Sequence, residues 1–121
     1  MKTLILAIMA CGLLLSSSAR AEGDAARGEK LYGKKCVMCH ALDQNRVGPK
    51  STGVYGRKAG TVADFNAYSS GLKALGLTWD EASLDKWLTE PSAMAPGSKM
   101  TFRLEAPQDR ADVIAYLKTL K

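Results

Sequence analysis

Three residues of types that bind metals and porphyrins lie close together in the sequence. Cys36 and Cys39 stand three positions apart, and His40 follows directly. Cysteines at positions i and i+3 of a helical turn face the same side, so both thiols can bond the two vinyl groups of one porphyrin. The next residue can then reach the iron as its proximal ligand. This C-x-x-C-H spacing predicts a covalently attached c-type haem, held by Cys36, Cys39 and the single histidine of the chain.

The first 21 residues have the layout of a secretory signal peptide. Lys2 supplies a positive charge, an apolar stretch runs from Leu4 to Leu15, and Ala19-Arg20-Ala21 is an A-x-A cleavage site. The apolar stretch is too short to span a bilayer comfortably, which disfavours an uncleaved membrane anchor. Acylation of Cys11, as in a lipoprotein, is disfavoured because the residues before it match that pattern poorly. We therefore expect cleavage after Ala21 and export to the periplasm.

Two other kinds of site use a C-x-x-C pair. Zinc usually needs four ligands from Cys and His, and Cys36, Cys39 and His40 are one short once Cys11 leaves with the leader. A disulfide is the alternative in an oxidising compartment, and a thioredoxin-like redox pair is another. The redox pair expects a βαβ setting, but no strand pattern precedes Cys36. Haem attachment is therefore the favoured interpretation.

The remaining residues, 22–121, have the length of one domain. The formal net charge of +5 falls to +3 without Lys2 and Arg20, so the mature chain is only mildly basic. No run of basic residues is longer than Lys34-Lys35, which is not the charge pattern of a nucleic-acid-binding protein. A chain this small buries only about two-thirds of its unfolded surface. A covalent haem would complete the core, so we expect the haem-free chain to fold poorly.

Capping and periodicity signals predict an all-α domain. Asp24 suits the N-cap of a first helix that runs to about Lys35, and a last helix begins near Pro107. Gly28 lies on the apolar face of the first helix and would allow a close crossing with the last one. The residues expected in this contact are Tyr32, Val113 and Tyr116.

Between these two helices the sequence predicts shorter helices and long loops. The signals are capping residues at helix starts and a glycine or proline at helix ends. The predicted elements are a helix over Ser69 to Leu75, a capping box at Thr78 to Glu81, a helix with the apolar stripe Leu84, Trp87 and Leu88 that Pro91 ends, and loops over 43–62 and 92–106.

A haem with two axial ligands needs a second residue, and the sequence has no second histidine. Methionine, lysine and tyrosine remain as candidate types. The methionines after the leader are Met38, Met94 and Met100. Met38 lies inside the attachment turn and cannot easily reach the other face of the ring. Met94 and Met100 both remain open on these grounds, and a methionine is more commonly core filler than a ligand.

Several segments, in the same order along the chain, are similar to those of class I cytochromes c. Residues 96–102, Pro-Gly-Ser-Lys-Met-Thr-Phe, resemble the family's methionine-ligand loop P-G-T-K-M-x-F. Further similarities extend over almost the whole mature chain, at Gly23-Asp24 and Gly28, Gly48-Pro49, Tyr55 to Gly60, Gly76 to Trp79, and Arg110 to Leu117. The resemblance implies the class I cytochrome c fold, with several short helices wrapped around one covalently bound haem.

The resemblance also implies roles for individual residues. His40 would be the proximal and Met100 the distal ligand, and the Pro49 carbonyl would accept the other ring N–H of His40. Trp87 stands where the family often has a tyrosine near the ligand sulfur, so a hydrogen bond from that position would differ and the potential would change. The residues implied to hydrogen-bond the haem propionates are Arg57, Tyr68, Trp79 and Ser98. The alternative role of the two aromatic residues is core packing, and the alternative for the arginine is a solvated surface charge.

By this resemblance the protein would be a soluble periplasmic one-electron carrier, cycling haem iron between Fe(III) and Fe(II), and not an enzyme. The alternative is a peroxidase-like haem enzyme or a gas sensor with a labile Met100. The expected partners are oxidases, reductases or photosynthetic complexes, with no nucleic acid, and the protein would be a monomer. These redox partners would dock at a basic haem edge that includes Lys30, Lys34, Lys35, Arg46, Lys99 and Arg103.

Overall fold

The computed structural model of the protein describes residues 22–121. The predicted signal peptide and its cleavage after Ala21 lie outside the described residues. The described part of the chain is all-α, as the sequence predicts, and its only β-type pairing is an isolated antiparallel bridge between Lys58 and Thr78. The helices are α1 (Ala25–Lys35), α2 (Ser70–Lys73), α3 (Glu81–Thr89), α4 (Pro91–Met94) and α5 (Pro107–Thr119).

The first and last helices begin where the capping signals place them. The Asp24 carboxylate accepts a hydrogen bond from the Arg27 backbone N–H at 3.0 Å and so caps α1. Pro107 is the first residue of α5, a position where the N–H that proline lacks has no partner within the helix. Lys34 and Lys35 occupy the last turn of α1, where positive charge interacts favourably with the helix dipole. Both predicted helices are confirmed.

The crossing of α1 and α5 at Gly28 is also confirmed. A Cβ atom at residue 28 would lie 1.9 Å from the Asp112 carbonyl oxygen and 3.0 Å from the Tyr116 Cβ. Beside this point the rings of Tyr32 and Tyr116 meet edge to face, with centroids 5.6 Å apart, and Val113 is buried in the adjoining core. Because no side chain separates the two backbones, α1 is fixed on α5, and the haem motif that follows α1 has a defined position.

The buried Asp112 carboxylate ties the start of α1 to α5. It accepts hydrogen bonds from the Asp24 backbone N–H at 2.8 Å and from Gln108 Nε2 at 2.9 Å. The Arg27 guanidinium also donates to Asp112 and pairs with Asp109 at 2.8 Å. Burial raises the pKa of Asp112, but these hydrogen bonds outweigh it, and the pKa lies below its ordinary value. The carboxyl group is therefore charged at neutral pH.

The start of α3 differs from the sequence prediction. The capping box uses Asp80 and Ser83 instead of Thr78 and Glu81. The Asp80 carboxylate accepts from the Ser83 N–H at 2.8 Å, and the Ser83 hydroxyl oxygen accepts from the Asp80 N–H at 2.9 Å. Aspartate is preferred to threonine as an N-cap, and a serine hydroxyl can return the second bond as a glutamate does.

The segment around Pro91 also differs. α3 ends at Thr89, and Pro91 does not simply stop that helix but is the first residue of α4. The predicted loop over 92–106 is therefore wrong at its start, because a proline is well tolerated at the first position of a helix. α2 is shorter than predicted, with Ser69 as its N-cap.

One apolar core joins these elements. The loop over 43–62 closes part of it through backbone hydrogen bonds, in which the Gly53 N–H donates to Leu120 at 3.0 Å and the Ala59 N–H donates to Leu77 at 2.8 Å. Within residues 22–121, no helix is both long enough and apolar enough to span a bilayer. The most deeply buried side chains of the core include Leu84, Leu88, Leu104, Val113, Ile114 and Leu117.

Candidate haem-binding site

A cavity of about 380 Å³ brings together residues from distant parts of the chain. Cys36, Cys39 and His40 line it from the turn after α1, and Met100 lines it from the loop between α4 and α5. The cavity walls are mainly apolar, with a few polar side chains among them. This combination is typical of cofactor pockets, which enclose roughly 300–1,000 Å³.

The two cysteines are held by the turn at the end of α1. Cys36 is the C-cap of that helix, and its carbonyl accepts from the backbone N–H groups of Cys39 at 3.1 Å and His40 at 2.9 Å. The cysteines form no disulfide. Burial raises the pKa of the Cys36 thiol to about 11, although the nearby Lys35 opposes the shift. A redox-active C-x-x-C pair has a lowered thiol pKa, so the arrangement disfavours the thioredoxin-like alternative.

The His40 ring is fixed by two contacts. Its Nδ1 lies 2.8 Å from the Pro49 carbonyl oxygen, which is the contact that the resemblance implied. A carbonyl oxygen can only accept, so Nδ1 is the donor in this contact, and Nε2 is the ring nitrogen that the contact leaves free. Gly48 packs on the ring so closely that a Cβ there would lie 2.3 Å from His40 Cε1. Together these contacts leave Nε2 as the atom available for a metal.

Of the methionines beyond residue 21, Met100 has the surroundings of a ligand. The Trp87 indole N–H donates to its sulfur at 3.2 Å. The backbone N–H and carbonyl of Met100 are held by the Ser98 hydroxyl at 3.2 and 3.1 Å. Met94 packs against the core and does not line the cavity, whereas Met38 is 81 % exposed beside the attachment turn. Of the two methionines that the residue pattern left open, Met100 therefore lies at the cavity and Met94 does not.

Arg57 and Trp79 lie side by side because the bridge between two chain segments pairs their backbones. The Trp79 N–H donates to the Arg57 carbonyl at 2.9 Å. The half-buried Arg57 guanidinium donates to the carbonyls of Lys50 at 3.1 Å and Thr52 at 3.4 Å, and it has no carboxylate partner within residues 22–121. Burial lowers the pKa of Arg57, since its charge is only partly compensated. An anionic group in the cavity would complete this site.

The other two predicted propionate donors have different surroundings. The Tyr68 hydroxyl oxygen accepts from the Val62 N–H at 3.1 Å, so its own proton is still available. Tyr68 lines the cavity and meets Phe65 edge to face, with ring centroids 4.7 Å apart. The Ser98 hydroxyl instead gives its single proton to the Met100 carbonyl, so in this arrangement it orders the methionine loop and has no proton left for a propionate.

Two glycines that shape the site were not identified from the sequence as contacts. Gly48 allows the approach of the backbone to His40, as described above. A Cβ at Gly71 in α2 would lie 2.7 Å from the Pro96 carbonyl oxygen, so this residue allows α2 to pack on the methionine loop. A glycine directly before a proline was the only signal for the first contact, and no signal indicated the second.

Comparisons with known proteins agree with this geometry. The family model for cytochrome c matches residues 25–121. The chain is 48 % identical to cytochrome c2 of Rhodomicrobium vannielii over 123 aligned positions, which cover 98 % of this chain and 97 % of the relative. The chain belongs to the cytochrome c family. It is a class I monohaem cytochrome c, an electron carrier and not an enzyme, and haem c is the cofactor of its family.

Two further relatives support this assignment. Cytochrome c2 of Rhodospirillum rubrum is 44 % identical over 128 aligned positions, covering 94 % of this chain and 93 % of the relative. The solved structure of cytochrome cH from Methylobacterium extorquens superimposes with a TM-score of 0.75 at 50 % identity. The superposition covers 80 % of this chain and 99 % of that structure. The all-α fold predicted from the sequence is therefore the fold of a known cytochrome c.

The residues of this cytochrome c that line the cavity fit a haem. The apolar walls suit the porphyrin ring, and Nε2 of His40 and the sulfur of Met100 are donors that haem iron accepts. The guanidinium of Arg57, which binds only backbone carbonyls, suits an anionic propionate, and Trp79 lines the cavity with an indole N–H that can donate to one. The site therefore provides a matching group for each part of the cofactor.

The basic residues expected around the haem edge are all exposed, but they differ in position. Lys35 and Lys99 line the cavity. Arg46 donates to a backbone carbonyl at 2.7 Å, and Arg103 forms an ion pair with Glu90 at 2.7 Å. The charge of Arg103 is thus partly compensated within the chain. Lys30 and Lys34 lie on α1.

Proposed function

We propose that this cytochrome c is a periplasmic one-electron carrier with a single haem c, attached through thioethers to Cys36 and Cys39 and ligated by His40 and Met100. The observation that carries the proposal is the convergence of these residues on one apolar cavity. The signal-peptide pattern of residues 1–21 supports export, after which residues 22–121 would form the mature domain.

On the proximal side, the His40 ring is already held in one orientation without the haem. His40 donates its Nδ1 proton to the Pro49 carbonyl, so Nε2 is oriented and made more basic as a ligand. Gly48 packs on the ring and restrains its rotation. When bound, the haem iron would supply the chemistry, a change between Fe(III) and Fe(II) that adds or removes one electron.

The distal side is closed by Met100. Its backbone is held by Ser98 and its sulfur by Trp87, so the methionine has little freedom to leave. A thioether ligand in an apolar cavity favours the ferrous state and raises the potential. His40 and Met100 would together hold the iron and would leave no coordination position for a substrate or gas. This supports electron carriage over the peroxidase-like or gas-sensor alternative.

The propionates would lie against three donors that line the cavity, of which only Arg57 belongs to the loop 43–62. Arg57 supplies a positive charge, Trp79 its indole N–H, and Tyr68 the proton of its hydroxyl. Because these groups already occupy fixed positions, they stabilise buried negative charge without reorganisation. The Ser98 hydroxyl donates to the Met100 carbonyl in this structure and would join this set by turning towards a propionate.

Partners would dock where the cavity opens. Exposed apolar side chains on the cavity rim include Met38, which is 81 % exposed, Val47, which is 73 % exposed, and Phe102. Lys35 and Lys99 lie on the same rim. An apolar contact surrounded by positive charge suits a transient complex with the acidic face of an oxidase, a reductase or a photosynthetic complex.

Ionic strength tests this docking surface. Electron transfer to an acidic partner should slow as salt is added, because screening weakens attraction between exposed charges. Lys35→Gln and Lys99→Gln should lower the rate at low salt. Lys118→Gln, which removes a charge that lies over the Tyr55 ring, should not change it. A rate that does not depend on salt would contradict docking through these lysines.

A redox titration of the exported protein, followed by visible absorption, tests the proposed function. A single reversible one-electron transition is expected, together with haem that stays on the chain after denaturation. Met100→Ala should retain the covalent haem while changing its spectrum. Haem that dissociates on denaturation, or a titration that requires two electrons, would contradict the proposal.

A further inference from the structure

The hydroxyl groups of Tyr32 and Ser51 form a hydrogen bond of 2.7 Å inside the core. Tyr32 is 5 % exposed and Ser51 is 7 % exposed, and both residues line the haem-binding cavity. Burial raises the pKa of Tyr32, so its hydroxyl keeps its proton at neutral pH. A buried hydroxyl needs a partner, because it has given up its hydrogen bonds to water. The two side chains therefore hold each other in place.

Tyr32 belongs to the helix that ends in the attachment turn. Its carbonyl accepts from the Cys36 N–H at 2.9 Å, and its ring packs edge to face on that of Tyr116 in α5. Because Gly28 lets α1 lie directly on α5, the position of the Tyr32 ring is set by the helix crossing. Its hydroxyl is therefore a fixed point at the edge of the cavity.

Ser51 ends the segment that holds the His40 ring, residues 48–51, which we call the proximal segment. The Pro49 carbonyl oxygen in this segment lies 2.8 Å from His40 Nδ1. Gly48 packs on the face of the same ring. The orientation of the histidine thus depends on where the proximal segment lies.

The backbone bonds of the proximal segment do not tie it to a helix. The Gly48 N–H donates to the Cys39 carbonyl at 2.8 Å, and the Ser51 N–H donates to the Ala41 carbonyl at 3.0 Å. Both acceptors are neighbours of the histidine in the sequence, so these bonds join the proximal segment to the part of the chain that it must orient. Within the described chain, the hydrogen bond from α1 to the proximal segment is the one that Tyr32 makes.

We propose that Tyr32 and Ser51 position His40 as the proximal ligand, by holding the Pro49 carbonyl against its Nδ1–H. This inference rests on the proposed ligation by His40. The carbonyl attracts the Nδ1 proton and so makes Nε2 a stronger donor to the iron. Ferric iron, with its higher charge, gains more from a stronger donor than ferrous iron does. The bond between the two hydroxyls therefore favours the ferric form, and its loss should raise the midpoint potential.

Tyr32→Phe and Ser51→Ala each remove one of the two hydroxyls and release the proximal segment from α1. One neutral hydrogen bond is worth about fivefold in an equilibrium constant, and only part of it reaches the iron through Pro49, so we expect a shift of about two- to threefold towards the ferrous form. At about 59 mV per tenfold change for a one-electron couple, the midpoint potential should rise by about 20–30 mV. Arg57 is bound to the carbonyls on either side of Ser51, but loss of its charge from the haem would lower the potential. A rise therefore identifies His40 as the residue affected.

A double-mutant cycle separates this positioning role from a merely structural one. Each single variant leaves one buried hydroxyl without its partner, whereas Tyr32→Phe/Ser51→Ala leaves none, so the double variant should be more stable than the two single effects add up to. Its midpoint potential should equal that of either single variant, because the same bond is lost in all three. Tyr116→Phe is the matched control. It removes a hydroxyl from the ring that packs on Tyr32 but does not line the cavity, and it should leave the potential unchanged.

The measurements are the midpoint potential and, by NMR of the reduced haem-loaded protein, the hydrogen exchange of the His40 Nδ1–H. The exchange of the Ile114 N–H in α5 serves as the reference, because a buried helix opens only when much of the fold does. Relative to this reference, the Nδ1–H should exchange about fivefold faster in the two single variants and the double variant.

The unchanged protein must be low-spin and must show the Nδ1–H signal of an iron-bound histidine. If it does not, the proposed ligation fails and not only the role of Tyr32 and Ser51. With the ligation shown, a non-additive rise in potential together with faster Nδ1–H exchange supports the inference. An unchanged or lower potential in the single variants, rises that add in the double variant, or unchanged exchange would overturn it.

Discussion

Replacing Gly28 by alanine tests the crossing of α1 and α5. The added Cβ would lie 1.9 Å from the Asp112 carbonyl oxygen, which belongs to the backbone and cannot swing away. The helices would have to separate, and overpacking of this kind costs about 1–3 kcal/mol. Alanine returns about 1 kcal/mol of helix propensity. With a cost of about 3 kcal/mol for the clash and a gain of about 1 kcal/mol from helix propensity, we expect the free energy of unfolding to fall by about 2 kcal/mol. This corresponds to a decrease of about 10 °C in Tm.

Gly33 in the same helix provides a matched control. It is exposed, and a Cβ there would meet no atom within 4 Å. Gly33→Ala should therefore stabilise the protein by about 0.5–1 kcal/mol through helix propensity alone. Guanidinium unfolding of the haem-loaded proteins, followed by far-UV circular dichroism, measures both changes. If Gly28→Ala were as stable as Gly33→Ala, the close helix crossing would be refuted.

Three further substitutions test other contacts. Asp112→Asn should cost about 2 kcal/mol at neutral pH, because charge-assisted hydrogen bonds are lost. The pKa of Asp112 is lowered by folding, so this stabilisation is present above the unfolded-state pKa and is lost as the pH falls below about 4; unfolding curves at several pH values should show the two proteins converging there. Gly48→Ala would place a Cβ 2.3 Å from His40 Cε1 and should produce a partly high-spin visible spectrum, whereas an unchanged spectrum would contradict the restraint on the ring. Arg57→Ala removes a half-buried positive charge, and the loss of that charge favours the ferric form of the haem. Potentiometry should therefore find a midpoint potential lower by up to about 60 mV.

The sequence predicted those parts of the molecule whose signals are local. Asp24 and Pro107 mark the starts of α1 and α5, and Gly28 marks their crossing, because caps and close approaches depend on single residue types. The Cys36–His40 motif is equally local. For these features the chain itself contains the geometric information.

Other features depend on which of several local partners a residue binds, or on contacts between segments that are distant in sequence. Asp80 and not Thr78 is the N-cap of α3, although both residues are of types that cap helices. The hydroxyl of Ser98 donates to the Met100 carbonyl in the same loop. Arg57 and Trp79 lie side by side because of the β-bridge between their two loops, and no periodic pattern in the sequence predicts this pairing.

Trp87 lies between these two cases. The sequence indicated that a tryptophan here lacks the hydroxyl common in the family. It did not show that the indole N–H would point at the Met100 sulfur, since that direction is set by the packing of α3 in the core.

The most direct test of axial ligation by His40 and Met100 is a visible absorption spectrum of the exported protein. It should be recorded oxidised and reduced, with carbon monoxide then added to the reduced sample at neutral pH. Sharp low-spin bands, a ferric far-red band and no response to carbon monoxide are predicted, because His40 and Met100 would both bind the iron. A high-spin spectrum, or a prompt shift on adding carbon monoxide, would contradict this ligation and favour a catalytic or gas-sensing haem.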